Sequence, residues 1–134
     1  MSAGAITLPW GDGEHTFSLP LGQLRELQDK TGIGPLPLLR RVMEGTWLVD
    51  DLRETIRLGL IGGGMAPTAA LTLVARYVER RPWTESVPLA QAILAAALFA
   101  PIEEGSPGKA AGPEGASETT TAVSPSGAFS ASAP

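Results

Sequence analysis

Apolar positions along this chain change their period several times, and each change marks an element. Near the N-terminus "AITLPW" and "HTFSL" alternate apolar and polar residues on either side of "GDGE". That alternation, with Gly and Asp between the runs, predicts a β-hairpin over residues 5–19. Pro9 has no N–H to give a ladder, so the first strand is expected at an edge. A lone hairpin is marginal in water and needs a helix to lie against.

From residue 20 the spacing turns helical. In "PLGQLRELQDKTG" Leu21, Leu24 and Leu27 share a face, and Gly32 suits the stop. "PLPLLRRVMEG" predicts a second helix, with Leu38, Leu39, Val42 and Met43 as its apolar stripe and Gly45 ending it. "TWLV" is a short extended link that puts Trp47 in position to plug the core. Asp50 or Asp51 is then expected to cap "DDLRETIRLGLIG", whose Leu52, Ile56 and Leu60 have buried spacing.

Beyond the glycines, "APTAALTLVARYVERR" predicts one continuous helix started by Pro67. Leu71, Val74, Ala75 and Val78 form its inner stripe, while Thr68, Thr72, Arg76, Glu79 and Arg80 lie opposite. "RPWTES" interrupts the period, and "PLAQAILAAALFA" makes a last helix that is apolar nearly all round. Such a helix is either central to a bundle or keeps a face for a partner. The fold class is therefore mainly α: about five helices with an N-terminal β-hairpin, over residues 1–101. Residues 102–134 are Gly, Pro, Ser, Ala and Thr with almost no large apolar side chain. That composition predicts a disordered low-complexity tail, since it buries too little surface to offset chain entropy.

Charge and composition narrow the function. Net charge is −4, against dependence on nucleic acid. Residues 1–102 hold nine Lys/Arg against ten Asp/Glu, and the remainder holds Lys109 against four glutamates. There is no cysteine and one histidine, His15, so a thiolate or histidine metal cluster within one chain is excluded. "MSAGAITLPW" lacks a basic start and an apolar core, so no signal peptide is expected. "VPLAQAILAAALFAPI" is shorter than the roughly 20 residues of a membrane span. A soluble protein of the cytoplasm, with no membrane partner, is the expectation.

Candidate chemistry is sparse. "GLIGGGMAP" places Gly59 and Gly64 at the glycine spacing of a phosphate-binding loop. Met65 and Ala66 stand where lysine and a hydroxyl are required, and the preceding sequence is helical. A dinucleotide fingerprint fails as well, because Pro67 replaces its third glycine. Gly62, Gly63 and Gly64 are read instead as a hinge between two helices. Asp50, Asp51 and Glu54 are explained by helix capping without a magnesium ion, and His15 has no triad partners in the pattern. No catalytic, cofactor-binding or metal-binding residues are assigned. "RYVERRPW" is the concentrated basic–aromatic patch, and Arg76, Tyr77, Arg80, Arg81 and Trp83 are the partner-binding candidates.

Taken in order, these segments resemble the tail assembly chaperone-like proteins of alphaproteobacterial gene transfer agents and related siphophage-type prophages. That family is also described as a tail tube protein of the gene transfer agent type. The resemblance runs through "LPLGQLRELQDKTGIGPLPLLRRVMEGTW" and "DDLRETIRLGLIGGGMAP", and is strongest in "LVARYVERRPWTESVPLAQAILAAALF". It implies a non-enzymatic role in tail morphogenesis, with tape-measure protein and tail-tube protein as partners. The alternative it leaves open is a structural component of the particle. It carries no catalytic residues over, and homo-oligomerisation stays open.

Overall fold

A computed structural model describes residues 4–99 of the chain. The expected disordered tail, 102–134, lies outside the described residues. Strands β1 (Ile6–Trp10) and β2 (Gly13–Phe17) form a two-stranded antiparallel sheet. Helices α1 (Leu21–Thr31), α2 (Pro35–Glu44), α3 (Val49–Gly62), α4 (Pro67–Val74) and α5 (Val87–Phe99) follow. The mainly α fold class with its N-terminal hairpin is thus the observed one.

Local chemistry accounts for most boundaries. Helices α1 and α2 stop at Gly32 and Gly45, whose φ values of 77° and 81° are left-handed. Pro35 and Pro67 open α2 and α4, where a missing N–H costs nothing. Capping of α3 differs in detail from the expectation. Leu48 is the N-cap residue, and Asp51, in the first turn, accepts the Leu48 N–H at 2.7 Å. The same carboxylate accepts from the Arg41 guanidinium at 3.0 Å, which ties α2 to α3.

Helix α3 is the centre of the fold. Leu52, Ile56, Leu58 and Leu60 are all buried, and the helix contacts α1, α4, α5 and β2. The hairpin lays Ile6, Leu8, Trp10 and Phe17 against the helices, with Phe17 fully enclosed. Its outer face pairs Thr7 with Thr16 through their hydroxyls, 2.9 Å apart.

Three expected apolar positions turn out to face solvent: Leu21, Met43 and Leu71. Leu21 is the first residue of α1, and Met43 is the last but one of α2. Trp47 rests half-buried against the core and does not plug it.

The largest departure lies between residues 67 and 81. The α-helix ends at Val74 and widens into a π-helical turn, Ala75–Glu79. The buried face is Ala70, Leu73 and Val74 on the α-helical part, shifted by one residue from the expected stripe, and Val78 in the π-helical turn. Within this turn Val78 is buried and Tyr77 packs against Trp10 of the hairpin. Residues Trp83–Ser86 form a short 3₁₀ turn that leads into α5.

Candidate functional site

The glycine run is best understood from its neighbours. A Cβ built on Gly62 would overlap the carbonyl oxygen of Ser18, and one on Gly63 that of Thr16. The end of β2 and the residue after it therefore lie directly on the last turn of α3. The Ser18 N–H also donates to the Gly59 carbonyl at 3.0 Å, welding strand to helix. Gly64 is different, with open space around it and a φ of 112°. This geometry gives Gly62 and Gly63 a close-packing duty that a hinge does not require.

The basic–aromatic residues are positioned by the π-helical turn. Tyr77 meets the edge of Trp10, with ring centroids 5.7 Å apart and planes at 65°. Trp10 also makes edge contacts with His15 and Phe17, both at 5.8 Å. At the hairpin tip Gly11 lies on the Tyr77 ring, where a Cβ would approach to 2.8 Å. Arg76 stands over the Tyr77 ring at 5.9 Å. Arg81 donates through Nε to Glu85 at 3.0 Å.

These side chains border a cleft of about 270 Å³ lined by Trp10, Gly11, Tyr77, Arg81, Glu85 and Ser86. Of the candidates, Tyr77 and Arg81 line it and Arg76 lies beside it. Arg80 is exposed, and Trp83 is half-buried against the core. Trp10 and Gly11 were not among the expected site residues. Nothing in the local pattern of β1 announces a contact with a turn so distant in sequence.

Electrostatics around the cleft are mostly internal. His15 Nε2 and an Asp12 carboxylate oxygen are 2.7 Å apart, and that hydrogen bond holds the Asp12 carboxyl below its usual range. Glu79 accepts from Arg53 Nε at 2.5 Å. Arg53 also pairs with the buried Glu54, which Arg57 grips from the other side at 2.6 Å. Arg57 reaches on to Glu26 of α1 at 3.3 Å. Hydrogen bonds to Glu79 and Glu54 push the Arg53 and Arg57 guanidinium groups above their ordinary values. The network links α1, α3 and the π-helical turn, and Glu54 is held there by arginines.

Among the described residues no group of three or more His, Cys, Asp or Glu side chains is placed to hold a metal ion. No helix among them is long and apolar enough to cross a membrane. What the cleft offers is the aromatic surface of Trp10 and Tyr77 beside the paired Arg81 guanidinium and Glu85 carboxylate.

No curated protein and no solved structure matches the chain. A family model does, over residues 3–100, from the hairpin to the end of α5. The chain belongs to that family, the phage tail tube proteins of the GTA-gp10 type.

Proposed function

We propose that this protein is a non-enzymatic assembly chaperone for phage-type tails of a gene transfer agent. It acts in the bacterial cytoplasm and binds tape-measure protein, tail-tube subunits or both during morphogenesis. Residues 1–101 form the binding domain, and 102–134 a low-complexity appendage. The observation that carries this reading is the cleft at the π-helical turn, in a domain matched along its length by a tail family. Its Arg, Tyr and Trp side chains are the types that anchor protein interfaces.

A second reading, a structural component that stays in the particle, is favoured by the family's own description as a tail tube protein. Co-expression with tape-measure protein tests the first. The chaperone reading predicts a soluble complex that survives gel filtration, with tape-measure protein aggregating when expressed alone. Tape-measure protein that is equally soluble without this chain, and forms no complex with it, contradicts the reading.

A further inference from the structure

We propose that the cleft between the hairpin tip and the π-helical turn receives a carboxylate side chain from an acidic segment of a protein partner. The inference rests on the binding role proposed above and adds the chemistry of the segment that is bound.

Guanidinium groups without a carboxylate partner carry it. Each carboxylate on this face already has an arginine or histidine within the chain: Asp12 with His15, Glu79 with Arg53, Glu85 with Arg81. Arg76 and Arg80, by contrast, have no carboxylate within 4.0 Å among the described residues. Arg76 lies close enough to Asp12 for its charge to act there, but the hydrogen bond to Asp12 comes from His15. Two guanidinium groups of this segment therefore stand without a carboxylate partner among the described residues.

Geometry sharpens the choice of ligand. Glu85 engages Arg81 through Nε alone, and the two terminal nitrogens of that guanidinium have no hydrogen-bond partner among the described residues. Two terminal N–H groups suit the fork of a carboxylate. The Trp10 and Tyr77 rings supply an apolar wall beside it, and a guanidinium next to aromatic faces is strengthened as water is displaced. A volume near 270 Å³ suits one or two side chains and falls below the range of about 300–1,000 Å³ typical for drug-sized ligands.

The test uses the full chain and two fluorescein-labelled peptides, Asp-Glu-Leu-Tyr-Glu-Asp and its amide counterpart Asn-Gln-Leu-Tyr-Gln-Asn. Anisotropy is read at about 0.15 M salt, where attraction beyond roughly 8 Å is screened. The acidic peptide should saturate, and the amide peptide should bind at least about tenfold more weakly, in line with the greater strength of charge-assisted hydrogen bonds. Arg76→Ala combined with Arg81→Ala should weaken the acidic peptide about tenfold. Arg40→Ala, at an exposed position on α2, should leave it unchanged, and circular-dichroism melting confirms that each variant is folded. Equal binding of the two peptides overturns the proposal, as does unchanged affinity in the double variant. Equal competition by a single-stranded oligonucleotide also overturns it, since the site would then read negative charge in general. Co-purification with tape-measure protein that persists alongside any of these results leaves the chaperone reading standing and removes only the carboxylate site.

Discussion

An alanine at Gly62 or Gly63 would drive its methyl group into the carbonyl oxygens of Ser18 and Thr16. Backbone on both sides leaves little room to yield, so each substitution is expected to destabilise the domain by about 2–3 kcal/mol. Gly22, in α1, has open space where a Cβ would stand, and Gly22→Ala is expected to stabilise by about 0.5 kcal/mol through helix propensity. Urea titrations of the three variants check the opposite signs. If the run served only to bend, Gly62→Ala and Gly63→Ala would leave the unfolding midpoint in place. The glycines were conspicuous in the sequence, but the close packing at Gly62 and Gly63 was not. Gly62 takes its meaning from Ser18, and no local pattern brings the two together.

Among the elements, α1, α2, α3 and α5 were legible because their punctuation is local. Gly32, Gly45 and Pro35 mark ends that the chain obeys within a residue or two. The stretch from Pro67 to Arg81 was not, since a π-helical turn is decided by what it touches. Arg53 on α3 pulls on Glu79 from one side and Trp10 meets Tyr77 from the other. Glu79→Gln is therefore expected to loosen amide protection in residues 75–79 under hydrogen exchange. The loss in global stability should be no more than about 1 kcal/mol, because the Arg53–Glu79 pair is partly exposed. Unchanged exchange in that segment would show that the turn does not depend on the pair. Arg53, Glu54 and Arg57 share α3, so their pairing is local; the reach of Arg57 to Glu26 was hidden, because only the fold sets α1 beside α3.

At the scale of the whole molecule, the hairpin tip completes a surface that the helices only begin. The sequence marked Arg76, Tyr77 and Arg81 by composition, and the structure adds Trp10 and Gly11 from the other end of the domain. An assembly chaperone engages its partner through such a surface and then departs, whereas a tube component stays. Quantitative mass spectrometry of purified particles, with capsid and tube proteins as internal references, separates these outcomes most directly. The account predicts that this chain is absent from finished particles, or present far below the level of the tube subunit. Recovery in a fixed stoichiometric ratio to that subunit would contradict it.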